Sequence, residues 1–288
     1  MEINLEKAKS LPRLVREKKP LIHCITNYVT ATDLANVILA CGGSPIMADH
    51  PAEVKEMTRL SDCLLLNIGT PKQTTLEVMT KAGMEANRLG IPVILDPVGI
   101  GSTPFRTELI LEVLKKVNMT IIRGNTSEIN TLYSELSKAN TEKLFHLPRG
   151  VDASDEDRMT EDNISAFMEA AVLLSSITKA VVVMTGATDI IADKERIYLV
   201  KNGCQEMLGI TGSGCMLDGV LAAYAAASDP IFESVTIATA LYGLCGERAA
   251  IKTKECKGGT GSFHRFFMDE INLSSQFEQK GGLKIELP

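Results

Sequence analysis

The chain has 288 residues, is 45% hydrophobic and carries 36 acidic against 30 basic side chains, for a formal net charge of −6. That is enough apolar material for a large core and too balanced for a disordered protein; neither sign forms a long block, so no basic surface for nucleic acid or anionic lipid is advertised. The seven cysteines show no C-x-x-C pair and no zinc spacing, a reduced, cytosolic pattern, and the amino terminus alternates charges without an apolar run, so neither a signal peptide nor a membrane span is expected.

After an amphipathic opening helix, Leu21 to Thr26 is a short apolar run and Ala31 to Cys41 has helical spacing, stopping at Gly42 and Gly43. The alternation repeats: Leu64 to Ile68, a helix from Gln73 to Leu89, Pro92 to Leu95, a helix from Phe105 to Val117, Thr120 to Ile122, and a helix from Asn125. Short apolar strands divided by helices predict right-handed βαβ units and an α/β fold, with a mainly parallel sheet covered by helices on both faces. The polar segment from Ser137 to Asp162 reads as a surface insertion within one domain spanning residues 1–288. Beyond it come a helix from Ile164 to Ile177, a buried strand Ala180 to Met184, a hairpin of Asp189 to Ala192 with Arg196 to Val200, and helices over Cys215 to Ala227, Phe232 to Ile251 and Ser262 to Leu273.

The most informative segment is Gly209-Ile210-Thr211-Gly212-Ser213-Gly214-Cys215-Met216, which puts glycines at the start of a long Ala-rich helix. A helix start offers unpaired N–H groups and partial positive charge, and glycine lets a phosphate approach the backbone. The segment equally suits a plain glycine turn. No Walker A pattern occurs, which disfavours a P-loop fold. Cys215 sits in the first helical turn, where the dipole lowers a thiol pKa and favours a thiolate able to accept a proton from an alcohol; as a small apolar side chain it could also simply be buried.

Asp96 ends one strand and Glu128 lies a turn into the helix after another, at the carboxyl edge where open α/β sheets bind ligands. Both suit Mg²⁺ on a nucleotide, directly or through water. Asn125-Thr126-Ser127-Glu128 also has the form of a helix cap with an acid at its third position, so Glu128 has a structural reading too. Arg123 and Thr185 face the same edge and suit polyphosphate, or a solvated strand end. The four histidines form no metal motif, and no G-x-S-x-G elbow is present.

Several segments together resemble the hydroxyethylthiazole kinase family of the ribokinase-like superfamily, over nearly the whole chain. They stand as Ile25-Thr26-Asn27-Tyr28-Val29, Gly43-Ser44-Pro45-Ile46-Met47-Ala48, Leu66-Asn67-Ile68-Gly69-Thr70, Leu95-Asp96-Pro97-Val98-Gly99, Arg123-Gly124-Asn125-Thr126-Ser127-Glu128 and Thr211-Gly212-Ser213-Gly214-Cys215-Met216. The resemblance implies a three-layer ribokinase-like fold and ATP-dependent phosphorylation of a thiazole alcohol in thiamin salvage. It implies that Met47, Asn27 and Gly212 contact the thiazole, that Arg123 and Thr185 bind ATP, that Mg²⁺ lies near Asp96 and Glu128, and that Cys215 is catalytic, where most of the superfamily carries an aspartate. It also implies a cytoplasmic homotrimer with active sites between subunits. Ser213 stands where the family more often has threonine, and Cys24 where it has asparagine. Two other readings stay open: a hydroxymethylpyrimidine acceptor on the same scaffold, and a nucleotide sensor without catalysis.

Overall fold

The computed structural model describes residues 5–139, 159–160, 162–276 and 282–288. In chain order its first half runs α1 (Leu5–Lys18), β1 (Leu21–Ile25), α2 (Ala31–Cys41), β2 (Ser44–Ile46), α3 (Val54–Leu60), β3 (Cys63–Asn67), α4 (Thr75–Leu89), β4 (Val93–Asp96), α5 (Pro104–Leu114), β5 (Ile121–Asn125) and α6 (Thr126–Ala139). The second half runs α7 (Ile164–Thr178), β6 (Val181–Thr185), β7 (Asp189–Ala192), β8 (Ile197–Val200), α8 (Ser213–Ala227), α9 (Ile231–Glu255), α10 (Thr260–Leu273) and β9 (Ile285–Glu286).

The strands form one sheet in the order β2-β1-β3-β4-β5-β6-β7-β8-β9. From β2 through β6 every pairing is parallel, and from β6 to β9 every pairing is antiparallel. The parallel, helix-covered sheet expected from the alternating pattern is therefore present, with the hairpin of β7 and β8 at one end. Its turn is set by Asp193, whose Oδ1 accepts from the backbone N–H groups of Glu195 (2.8 Å) and Arg196 (2.7 Å), an Asx turn closing a short connection.

Because successive strand residues face opposite sides, β3 divides its side chains between two cores: Cys63 and Leu65 join one, Leu64 and Leu66 the other. The first core packs under α1, α2, α8, α9 and α10, the second under α3 to α7. A strand buried on both faces reads as a continuous apolar run, which is why these strands were visible as runs and not as alternations. No helix among the described residues is long and apolar enough to cross a membrane.

Three elements were not expected. Strand β2 is three residues long and contains Pro45; a proline lacks the N–H a central strand needs, and only its place at the sheet edge beside β1 makes it a strand. Helix α3 is a short charged turn, VKEMTRL, and β9 pairs only Ile285 and Glu286 with β8. The insertion placed at Ser137 to Asp162 needs correction at both ends. Ser137 to Ala139 complete α6, and Met159 is buried in the second core against Gly186, so the segment returns to the interior before α7; residues 140–158 and 161 lie outside the described ones.

Glu85 on α4 is buried and hydrogen-bonded by Arg59 Nε and Arg88 Nη2, both at 2.7 Å. The hydrogen bonds from Arg88 and Arg59 hold its carboxyl down at about 2. A folded pKa below the unfolded value contributes stability above the unfolded pKa that is lost as the pH falls through the folded one. Glu85→Gln is therefore expected to lower Tm at neutral pH and to converge with the parent protein as the pH approaches about 2, in a series of thermal melts.

Candidate active site

The parity of the strands assembles the site. Asn67, Asp96, Arg123 and Thr185 each lie two residues beyond a side chain of the core under α8, namely Leu65, Ile94, Ile121 and Val183, so all four project from that same face at the carboxyl ends of β3 to β6. The chain leaves β1 toward β2 on one side and places β3 on the other. That reversal opens a crevice at the end of β1, the position where open parallel sheets receive ligands; Asn27 lies just past it.

Helix α8 meets this edge end-on. Its N-cap, Gly212, has φ +79°, and a Cβ there would stand 2.4 Å from Thr30 Cγ2. Both the left-handed backbone and the approach of Thr30 require glycine. Thr30 is fixed by Asn27, whose Oδ1 accepts from Val29 N, Thr30 N and Thr30 Oγ1 at 3.0 to 3.1 Å. Gly214 is required by contact: an added Cβ would meet Arg123 Nη2 at 2.4 Å and Nη1 at 2.5 Å. The guanidinium thus lies directly against the first turn of the helix, where free N–H groups are concentrated.

Around Cys215 the structure joins four of the expected residues with one that was not. The Nδ2 groups of Asn67 (3.3 Å) and Asn27 (3.5 Å) donate to the Cys215 sulfur, and Asn67 Nδ2 also donates to Asp96 Oδ2 at 2.7 Å. Asn27 and Asn67 are linked at 3.0 Å. Arg123 Nη1 reaches Asp96 Oδ2 at 3.4 Å and Nη2 donates to Thr185 Oγ1 at 3.0 Å. For Asn67 the sequence carries one signal, a single amide closing an otherwise apolar strand, CLLLN. Arg106 supports the same edge, its guanidinium donating to the carbonyls of Ile68, Gly69 and Val98 and so tying together the loops after β3 and β4.

Glu128 carries out the capping role. Asn125 N donates to Glu128 Oε2 (2.9 Å) and Glu128 N donates to Asn125 Oδ1 (2.8 Å), the reciprocal bonds of a capping box, while Gly99 N holds Oε1 at 3.0 Å. With both oxygens engaged, Glu128 is oriented toward the site more than free within it. Burial and the charge of Asp96 push its carboxyl up, against the backbone N–H bonds and Arg123. Met47 is 42% exposed just past β2, and the adjoining Ala48 carbonyl accepts from His23 Nε2 at 2.7 Å. Cys24 is buried in the core under α8.

The electrostatics correct one expectation. Burial, then the charge of Asp96, push the Cys215 thiol above its ordinary range, outweighing Thr30, Arg123 and Asn27. Position in a first helical turn does not leave it a ready thiolate. Arg123 stays charged beyond its ordinary range: burial works against the charge, but Asp218, Asp96 and Glu128 outweigh it. Asp96 is fully buried, and its Oδ1 has no hydrogen-bond donor among the described residues. A free, buried carboxylate oxygen suits a hard divalent cation. The neighbouring Cys215 sulfur is a soft ligand and does not.

The sequence profile of the hydroxyethylthiazole kinase family matches residues 13–276. The chain is 43% identical to the hydroxyethylthiazole kinase of Clostridium acetobutylicum over 258 residues, covering 89% of this chain and 91% of that one. It is likewise 43% identical to that of a Thermoanaerobacter species over 273 residues, 94% and 97% of the two chains. Among solved structures it superposes on a hydroxyethylthiazole kinase protein from Pyrococcus horikoshii with TM-score 0.81 and 32% identity, covering 98% of each chain. An ADP complex of Bacillus subtilis pyridoxal kinase, at TM-score 0.54 and 14% identity, covers 78% of this chain and 90% of that one and shares the fold.

The contact of Gly214 with the guanidinium gives a sharp expectation. Gly214→Ala forces Arg123 away from the helix start; on the ATP-binding role the resemblance implies for Arg123, the ATP KM should rise about tenfold or more while Tm moves little, and steady-state kinetics with a thermal melt checks both.

Proposed function

The chain belongs to the hydroxyethylthiazole kinase family, and from that premise we propose that it moves the γ-phosphate of ATP onto the primary alcohol of 4-methyl-5-(2-hydroxyethyl)thiazole, in thiamin salvage. The observation that supports this most is the meeting of Cys215, Asn27, Asn67, Asp96 and Arg123 at the glycine-capped start of α8. In-line phosphoryl transfer needs a cradle of donors for the moving group and an alcohol held in line with it, so positioning and electrostatics carry most of the rate.

In this reading Arg123 and Thr185 receive the triphosphate, and the backbone N–H groups from Gly212 to Cys215 receive the transferring phosphoryl. Asn27, Gly212 and Met47 bound the thiazole. Asp96 would hold Mg²⁺ through its free oxygen, with Glu128 reaching it through water; when bound, the ion neutralises charge on the phosphate oxygens. Cys215 orients the alcohol or accepts its proton. Its raised thiol pKa leaves less of it as thiolate to take a proton, so its contribution is smaller than an ionised carboxylate would make there.

Cytoplasmic location fits seven cysteines that form no disulfide. Assembly as a homotrimer with sites at subunit boundaries fits the exposed apolar side chains of Tyr28 (75%), Val29 (59%) and Leu208 (86%), which flank the site residues in sequence.

The test is ADP release from Mg-ATP with the thiazole alcohol, with hydroxymethylpyrimidine and with no acceptor. Release confined to the thiazole is expected. Release with the pyrimidine alone would overturn the substrate assignment, and ATP binding without alcohol-dependent release would favour a nucleotide sensor. Cys215→Asp is expected to remain active; a folded but inactive variant would count against proton acceptance at that position.

A further inference from the structure

Asp218 lies one turn beyond Cys215 on α8, among the core side chains Met216, Leu217 and Val220. It is fully buried, and neither carboxyl oxygen has a hydrogen-bond donor among the described residues. A buried carboxyl left without donors costs stability, so packing gives no reason for it. Its Oδ1 is 3.9 Å from Arg123 Nε, which is itself buried without a partner. The two orphaned groups are complementary, and a movement of about 1 Å would bring them to hydrogen-bond distance. Asp96, Cys215 and Asp218 lie within 4.8 Å of one another, and the guanidinium stands near both carboxyls, 3.4 Å from Asp96 and 3.9 Å from Asp218.

The other end of the guanidinium faces the helix start. Nη1 and Nη2 lie against Gly214, and the bond from Nη1 to Asp96 is long, at 3.4 Å. A guanidinium that turns its Nη atoms to phosphate oxygens gives up that bond and needs another acceptor at Nε to stay aimed. We infer that Asp218 is a positioning residue for the nucleotide: one of its carboxyl oxygens accepts the Nε–H of Arg123 when the Nη atoms engage the triphosphate. The inference rests on the ATP-binding role proposed for Arg123. A carboxyl oxygen accepts this bond in either protonation state.

The experiment compares Asp218→Val, which removes the acceptor, with Asp218→Asn, which keeps an amide oxygen, each alone and with Arg123→Gln. The readouts are ATP Kd by equilibrium dialysis, both KM values and Tm. Asp218→Val should weaken ATP binding about tenfold and change the alcohol KM less than about twofold, and Asp218→Asn should recover most of the loss. The Tm of Asp218→Val should fall, because the buried Arg123 guanidinium loses one of its counter-charges, so ATP binding is read on the folded variant. In the Arg123→Gln background Asp218→Val should add no further loss of ATP binding. Should Asp218→Val not fold, Asp218→Ser, whose hydroxyl is too short to reach Nε, must show the same pattern. Unchanged ATP binding in the folded acceptor-free variant, equal increases in both KM values, or an undiminished loss in the Arg123→Gln background would overturn the inference. Unchanged ATP binding in Arg123→Gln alone would instead overturn the ATP-binding role of Arg123, and the inference with it.

Discussion

A guanidinium buried beneath the first turn of a helix has to be surrounded by acceptors, and much of this site's arrangement follows from meeting that demand for Arg123. Asp96 and Thr185 bond to it directly and Asp218 stands beside it; Gly214 gives up a side chain so that it fits. Three carboxyls around one cation would leave the pocket negative, but burial raises the pKa of Asp218 and Glu128, with Asp96 adding to the effect. The charge at this edge is therefore easily redistributed by a ligand, which suits the polyphosphate proposed to enter there.

The sheet makes such a cluster possible. Strands β3 to β6 each contribute one polar side chain toward the carboxyl edge, on the face covered by α8, while the residues before it are buried in two separate cores. The apolar runs thus hold the strands in register, and the register, pairing Asn67 with Asp96 and Asn125 with Thr185, sets the spacing of the functional groups. A one-residue slip in any of these strands would move its polar group to the opposite face.

Cysteine at position 215 is chemically unusual for accepting a proton from an alcohol. Two asparagine amides donate to its sulfur, an arrangement that orients the group firmly. Burial and Asp96 nonetheless keep the thiol protonated to higher pH. Orientation of the alcohol and the donors at the helix start therefore carry more of the proposed chemistry than basicity does.

Local pattern determined much of this protein by itself: the alternation of apolar runs and helical spacing specified a parallel sheet with two helical layers, and glycines before an Ala-rich helix marked the helix start that meets the sheet's carboxyl edge. Asp96, Arg123, Thr185 and Cys215 were recognisable because strand ends and helix starts are local features. Only the tertiary structure decided what depends on packing between distant segments. Pro45 belongs to a strand because β1 runs beside it; Glu128 is engaged by Gly99, 29 residues away; the Cys215 thiol is raised because burial and Asp96 outweigh the helix start. Asp218 stayed silent in the sequence for the same reason, and Asn67 showed only as an amide closing an apolar strand. An amide at the end of a strand and one acid in an apolar helix acquire meaning only when folding sets them against a sulfur and a guanidinium from other parts of the chain.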